Sequence, residues 1–458
     1  MVLAFAGCLV GPDFAPPAQP APEVWRGPLG PALSTDAPDD ASLAHWWDAL
    51  GDPVLGELER RALEGSRDLA IAEARLREAR ARRRGVRAGL FPNSSASASA
   101  GRTHAERGVP ETRESYDVAF DASWEVDLFG GLRRGVEAAS ADLAASEADL
   151  RALQVAIAAE VAQAYADLRA LQRRIALAQE NIRVQSETLE LTRWRSEAGL
   201  TTQLDVEQAR ANLEQTRAAL PQLRSALSAS SARLALLAGE PPGALDALFE
   251  PPAPVPTPPA RIAVGVPAAA LARRPDVARA ERQLAAETAR IGVAKAQAFP
   301  RLTLTGSLGL DALAASNLLS AASYSSSVLG NLTQIVLDFG RVRATIEAQE
   351  AVRDAALAEL EATLLEALEE TENALVGFEQ EQQRRLALTA AAEAAGLAAQ
   401  LSRDQYAAGL IDFESVLVAE RALFTSQDQL AASEGQVASN LARLYKALGG
   451  GWQSEATP

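Results

Sequence analysis

From Gly131 to Ala198 the chain runs without a proline and with one internal glycine, Gly135, in a stretch dominated by Ala, Leu, Glu, Gln and Arg. These residues lose least on entering a helix, so the stretch predicts one continuous helix. At a rise of about 1.5 Å per residue, roughly 68 residues make a rod of about 100 Å, far longer than one domain core covers. Other elements must lie alongside it. Leu168, Leu171, Ile175, Ala178, Ile182 and Leu189 step mostly by threes and fours, the spacing of a coiled-coil seam. Ala170, Leu177, Val184 and Leu191 recur every seven residues, each two positions after a member of the first set. At about 100° per residue the two stripes lie about 160° apart around the helix, so it has a neighbour on each flank. A wall or ring of helices fits that pattern. Taken alone, the stretch also suits a spectrin-like bundle or a long scaffold coiled coil.

The length of 458 residues suggests two or three domains, and few aromatics with abundant Ala, Leu and Glu predict a mostly helical chain. A formal charge of −16 argues against nucleic acid and anionic lipid surfaces as partners, since both need basic footprints. No run of about 18 apolar residues is present, so no segment reads as a transmembrane helix. A single cysteine, Cys8, leaves no internal disulfide framework. It closes Leu3-Ala4-Phe5-Ala6-Gly7-Cys8, which resembles a bacterial lipobox, where the cysteine receives acyl chains after cleavage. Phe5 replaces the usual aliphatic residue and no basic segment precedes it, so the true start is expected upstream of Met1. The plain alternative is a free terminal thiol. With lipid attached, Leu9 in place of Asp favours the outer over the inner membrane.

The chain divides into a signal remnant at 1–8, a proline-rich extended segment at 9–45, a first repeat at 46–240, a proline-rich linker at 241–267, a second repeat at 268–450 and a tail at 451–458. The first proline-rich segment cannot hold helix or central strand and is expected to lie extended over the body. Helix begins after Trp46-Trp47, with Asp52 as N-cap and Pro53 as first residue, and runs to about Gly89, where Phe91-Pro92 stops it. Residues Ser94 to Gly101 alternate serine with alanine, a weak strand signal. The return is strong: Tyr116, Val118, Phe120, Ala122, Trp124, Val126 and Leu128 face one way, Asp117, Asp121, Ser123, Glu125 and Asp127 the other. Such a strand is long enough to cross a bilayer when tilted, or to form a hairpin on a soluble core. After the long helix a second one runs from Thr202 to Ala238, interrupted by Pro221. The linker that follows has few apolar anchors.

The chain then repeats itself about 210 residues on. Asp68-Leu69-Ala70 returns as Asp276-Val277-Ala278, Phe91-Pro92 as Phe299-Pro300, Phe129-Gly130 as Phe339-Gly340, and Ala198-Gly199-Leu200 as Ala408-Gly409-Leu410. Leu302, Leu304, Leu308 and Leu310 replay the first strand, and a second proline-free stretch runs from Arg341 to Ala408. Only a fourth strand, near Tyr324 to Asp338, is poorly patterned. Each half reads helix, strand, strand, very long helix, shorter helix. The two shorter helices together match the long one, which places the linker near the rod's waist. Four strands cannot close a sheet in a bilayer, where the smallest barrels have about eight. Several copies must contribute: two would give eight strands with side chains filling the inside, and three would give twelve with room for a lumen.

At this point the residues carry a resemblance. The chain resembles the TolC family of outer-membrane efflux proteins, in its lipoprotein branch. The matching motifs are Gly7-Cys8-Leu9-Val10-Gly11-Pro12-Asp13-Phe14, Trp46-Trp47 with Asp52-Pro53, Arg273-Arg274-Pro275-Asp276-Val277, Ala294-Lys295-Ala296-Gln297-Ala298-Phe299-Pro300-Arg301-Leu302 and Asp338-Phe339-Gly340-Arg341. The resemblance implies a homotrimer lipid-anchored at Cys8. A twelve-stranded barrel in the bacterial outer membrane would continue as a long periplasmic α-helical barrel. It implies the exit duct of a tripartite efflux pump, partnered by a periplasmic adaptor protein and an inner-membrane RND transporter. Its rivals are a type I protein-secretion duct of the same fold and, from another class, a soluble coiled-coil scaffold.

No enzyme, cofactor or metal is read. His45 and His104 lie in unrelated segments, no glycine-rich phosphate loop precedes a lysine, and no cluster has metal-ligand spacing. Glu369-Glu370 reads as a solvated face. The candidate sites are the two hairpins at the far ends of the rods. Gly199 suits a left-handed position, and Thr202 with Asp205 suits a capping box; Gly409 and Asp412 repeat the arrangement. The resemblance implies that these tips, with Tyr406 and Gly409 matching the family's tip motif, meet the adaptor and close the periplasmic entrance. Ser415 and Val418 stand where acidic residues line that entrance in other members, and Glu414 and Glu420 are the nearby acidic candidates.

Overall fold

The computed structural model describes residues 9–18, 22–27, 29–105 and 111–452. Cys8, the expected lipid-attachment residue, and the end of the tail lie outside them. In chain order the elements are β1 (Leu33–Ser34), α1 (Asp40–Ala44), α2 (Pro53–Gly65), α3 (Arg67–Ala88), β2 (Asn93–Ala105), β3 (Glu111–Val126), α4 (Gly131–Glu197), α5 (Gln203–Leu237) and α6 (Asp246–Phe249). There follow β4 (Ile262–Ala263), α7 (Pro267–Arg273), α8 (Pro275–Ala296), β5 (Arg301–Ala312), β6 (Tyr324–Thr333), α9 (Arg341–Ala407) and α10 (Phe413–Ala447). The helix expected from Asp52 to Gly89 is two helices, because Ser66 takes an extended conformation (ψ 128°) between them. Arg274 does the same (ψ 123°) between α7 and α8, where Pro275 disfavours helical geometry in the residue before it. Pro221 does not interrupt α5, which runs unbroken through it.

The chain separates into two compact units. One holds Ala74–Ala148 and Ala278–Thr363 with the N-terminal segment. Its antiparallel sheet has the order β2-β3-β5-β6. The register sets Phe120 opposite Ala96 and Leu308, and Val118 opposite Ala98 and Leu310, so Ala96, Ala98 and Ala100 of β2 join the apolar face and Ser95, Ser97 and Ser99 the polar one. On β6 the same face carries Leu332, Val328 and Tyr324. That apolar face is exposed: Phe120 is 52%, Leu308 48% and Val328 86% accessible. The weakly patterned last strand is shorter than expected, ending at Thr333. The two long helices start alike. Asp127 accepts from the backbone N–H of Leu132 and Arg133 (3.2 and 2.9 Å), and Asp338 from Gly340 and Val342 (3.0 and 2.9 Å). Both carboxylates sit where the helix dipole favours them. Nearby, the buried Arg134 donates to the carbonyls of Val10 and Gly11 and to Asp13 (3.1, 3.2 and 2.7 Å), pinning the N-terminal segment down.

The other unit comprises Pro20–Glu73, Asp149–Val277 and Leu364–Pro458 and holds the main core. Trp46, 1% exposed, stacks on Tyr445 with ring centroids 4.8 Å apart, among Leu55, Leu58, Leu168 and Phe378. Asp52 caps α2 and also accepts the Tyr165 hydroxyl (2.7 Å), and Tyr165 accepts from Arg169 Nε (2.9 Å). The linker has more anchors than its composition suggests. Leu245, Phe249, Val255, Ile262 and Val264 are all buried. Arg169 and Gln172, at mid-length in α4, donate to the Pro251 and Phe249 carbonyls (3.0 and 2.8 Å) and tie the linker to that helix. The first proline-rich segment is likewise built in: β1 pairs in parallel with β4, and the buried Trp25 donates to Gly265 O (2.9 Å). Glu370 is not on a solvated face. It accepts from Arg274 (2.6 Å) and Lys446 (2.8 Å), where α8, α9 and α10 meet.

Candidate functional site at the two helical hairpins

Both hairpins are built the same way. After α4, Gly199 has φ +73°, Leu200 N–H donates to Arg195 O (2.8 Å) and Gly199 N–H to Ser196 O (2.9 Å). After α9, Gly409 has φ +74°, with Leu410 donating to Gln405 O and Gly409 to Tyr406 O (both 2.9 Å). This is the paired closure that a left-handed residue permits just past a helix end. The returning helices are capped as predicted. Asp205 N–H donates to Thr202 Oγ1 (3.3 Å) and Thr202 N–H to Asp205 Oδ2 (3.0 Å), a reciprocal box. In the second hairpin Asp412 accepts from the Ser415 N–H (3.0 Å) and hydroxyl (2.7 Å), and no reciprocal acid is present because Ser415 holds that position. Partial burial raises the Asp205 carboxyl, but hydrogen bonds from Thr201 and Thr202 more than offset it and hold its pKa below the usual carboxylate range. The Ser415 bonds do the same for Asp412.

The predicted residues do not share one environment. Gly199, Thr202, Gly409, Asp412 and Glu414 are exposed, and Asp205 is half-buried. Around them Leu200, Leu204, Leu410 and Val418 project into solvent at 61–74% exposure. Tyr406, by contrast, is 5% exposed, in a small core with Leu189, Val206, Leu213, Phe413 and Leu417. Its ring lies 4.5 Å from the Arg195 guanidinium, whose Nη1 also donates to Tyr406 O (2.7 Å). Tyr406 therefore joins one hairpin to the other rather than presenting itself outward. Glu420 is also buried, accepting from Thr188 Oγ1 (3.0 Å). Burial pushes its pKa up, only partly countered by that bond and the Arg403 charge.

Arg195 was not singled out by the sequence, and neither was the row it ends. Arg174 binds Asp428 (2.7 and 3.0 Å), Asn181 binds Gln427 (3.3 Å), Thr188 binds Glu420, and Arg195 binds Tyr406. These α4 residues recur every seven positions and form a polar seam against α10 and the end of α9. The signal is a heptad of polar residues, and a search for apolar stripes passes over it. Between them Gln185 is 3% exposed with its Oε1 unpartnered. Polar groups at seam positions give register at a cost in stability, which suits an interface that must be specific without being locked. Among the described residues there is no metal-binding group of His, Cys, Asp or Glu, and no helix is long and apolar enough to cross a membrane.

Comparisons with known proteins bear on this geometry. A family model described as outer membrane efflux protein matches residues 58–240 and 266–450, one match in each repeat. The pyoverdine export outer membrane protein OpmQ of Pseudomonas putida is 33% identical over 454 residues, covering 97% of this chain and 93% of its own. The outer membrane protein OprJ of Pseudomonas aeruginosa is 32% identical, covering 99% of this chain and 95% of its own. Among solved structures, the outer-membrane channel OprN superimposes with a TM-score of 0.91 at 37% identity, covering 98% of this chain and all of that one.

Proposed function

We propose how this chain, which belongs to the outer membrane efflux protein family and is an outer-membrane efflux channel, is put to work. Three copies assemble, each anchored by acyl chains on Cys8 and each giving four strands to a twelve-stranded barrel. The long helices continue that barrel across the periplasm. At its far end the hairpins at Gly199 and Gly409 meet a periplasmic adaptor, and through it an inner-membrane RND transporter. The duct is passive: it conducts small molecules such as drugs, and selection rests with the pump. One relative is named for export of pyoverdine, which agrees with small organic cargo. The entrance opens when contacts between hairpins are exchanged for contacts with the adaptor.

The observation that carries this reading is the exposed apolar face of a four-stranded sheet whose two outer strands each have one edge unpaired among the described residues. In water such a face costs free energy, and in a bilayer only the open edges do. Insertion into a bilayer removes the first cost, and closure by further copies removes the second. The test is the mass of the protein extracted in mild detergent, corrected for bound detergent. Three copies per particle are expected, and a monomer that stays in solution without detergent would refute the arrangement.

A further inference from the structure

Within the strand-bearing unit the helices keep the order of the strands they continue. Arg80 with Glu147 (3.5 Å) and Arg83 with Ser140 (2.9 Å) tie α3 to α4. Arg290 with Asp142 (2.6 Å) ties α4 to α8, and Gln349 with Glu287 (2.8 Å) and Lys295 with Glu350 (3.2 Å) tie α8 to α9. The unit therefore ends on one side in α3 with β2 and on the other in α9 with β6. Both ends are open.

The open sides differ in charge. With Leu76, Arg80 and Arg83 turned toward α4, rotation of about 100° per residue places Ala74, Ala81, Gly85 and Glu78, itself paired with Arg82 (2.6 Å), on the far side of α3, with Arg77 and Arg84 along one flank. With Val342, Gln349 and Leu360 turned inward, the far side of α9 carries Ala344, Ala351 and Ala358, with Glu347 and Asp354 along one flank and Arg343 a turn before them. Among the described residues Arg77, Arg84 and Glu347 make no ion pair or hydrogen bond, and Asp354 pairs only with its neighbour Arg353 (3.1 Å). Because α3 runs toward the strands and α9 away from them, the right-handed turn of both helices brings the two arginines and the two acids to the same face of the wall. The levels also agree. Arg84 lies four residues before the end of α3 and Glu347 six after the start of α9, and Arg77 and Asp354 are each seven residues farther.

We propose that α3 of one copy packs against α9 of the next, with Arg84 opposite Glu347 and Arg77 opposite Asp354. These pairs set the register in which β2 of one copy meets β6 of its neighbour. The alanines between them let the two helices approach closely. The occupant of this edge is a second copy of the chain, so the inference rests on the assembly proposed above and names its junction. The arginines are then not a footprint for anionic lipid, although they form a basic patch in an acidic chain.

The full chain, purified from membranes, tests this. Arg77→Glu with Arg84→Glu, or Glu347→Arg with Asp354→Arg, puts two like-charge pairs at every junction, and each half-swap should lower the assembled fraction about tenfold or more. All four changes together should restore assembly. Independently, Ala81→Cys with Ala351→Cys should let a short bis-maleimide link copies into covalent multimers, whereas either cysteine alone should not. If the unmodified chain is itself monomeric, the assembly reading fails first. If it assembles but residues 81 and 351 do not cross-link, the junction is wrong. Half-swaps that assemble normally overturn the register role, and loss of co-purifying anionic phospholipid from the Arg77→Glu, Arg84→Glu chain in that case would assign the stripe to lipid.

Discussion

Replacing Arg274 with methionine removes the centre of the cluster at the second helix break. Its guanidinium, 8% exposed, donates to Asp276 (3.1 and 2.7 Å), to Glu370 (2.6 Å) and to the Ala447 carbonyl near the end of α10 (2.9 Å). Breaking a fully buried pair costs about 3–5 kcal/mol. Here the two carboxylates remain about a third exposed, and Lys446 still serves Glu370, so solvent screening brings the expected loss to about 2–3 kcal/mol. For a unit of this size that is a melting temperature lower by about 3–5 °C, read by far-ultraviolet circular dichroism at a fixed scan rate. Arg274→Lys, which keeps the charge but not the planar fork, should fall between.

The acid limb supplies a second readout. Burial pushes the Asp276 carboxyl up, but the Arg274 bond outweighs it; for Glu370, Lys446 and Arg274 together outweigh burial. Both folded pKa values therefore lie below the ordinary ones. A carboxylate of that kind contributes stability that is complete above its ordinary pKa and is lost as the pH falls through the folded one. The parent chain should thus lose more stability than Arg274→Met on acidification from about pH 6 to about pH 3. A shift below about 2 °C at neutral pH, or parallel acid limbs, would refute the assignment of this cluster as a clamp on α8, α9 and α10.

Three further outcomes follow from other parts of the chain. Gly199→Val and Gly409→Val force a β-branched residue into a left-handed conformation at about 1–2 kcal/mol each, and should abolish efflux in a susceptibility assay while leaving the assembled mass unchanged. Glu59 is fully buried with neither carboxylate oxygen partnered, and burial drives its pKa well above the ordinary value. The stability of the parent chain is therefore complete below that ordinary value and falls as pH rises through the folded one, so Glu59→Leu should raise the melting temperature more at about pH 8 than at about pH 4.5. Arg195→Met removes both the bond to Tyr406 O and the contact with its ring, about 1–2 kcal/mol together, and should accelerate hydrogen exchange across residues 405–413; unchanged exchange would mean that Arg195 does not join the hairpins.

Much of the architecture was legible because it repeats. A landmark such as Phe-Gly at 129–130 or Ala-Gly-Leu at 198–200 is a weak signal once, and its recurrence at 339–340 and 408–410 makes it a boundary. The caps at Thr202 and Asp412 could be read because capping depends on residues within one turn. The breaks at Ser66 and Arg274 were not equally visible: Pro275 marks one locally, whereas nothing beside Ser66 does, and both depend on how the flanking helices pack. The anchors of the linker were missed for a related reason. Leu245, Phe249, Val255 and Ile262 are too widely spaced for a period, so their burial follows only from the surface they cover.

The polar heptad of α4 is the instructive failure, because the same period was used and the wrong chemistry was followed. Leu168, Leu171 and Ile175 mark an apolar seam, and beyond Ala178 Asn181 and Thr188 reach polar partners on α10, while Gln185 and Thr192 are buried. A helix that needed only to be held would continue with leucine there. Instead, Asn181, Thr188 and Arg195 answer polar partners across the seam and Thr192 its own backbone, so sliding by one turn would strand Asn181, Thr188 and Arg195 without their partners at once. The seam thereby opposes intermediate registers while binding less tightly than an apolar one in any register. The seam joins α4, which leads into the first hairpin, to α10, which leaves the second.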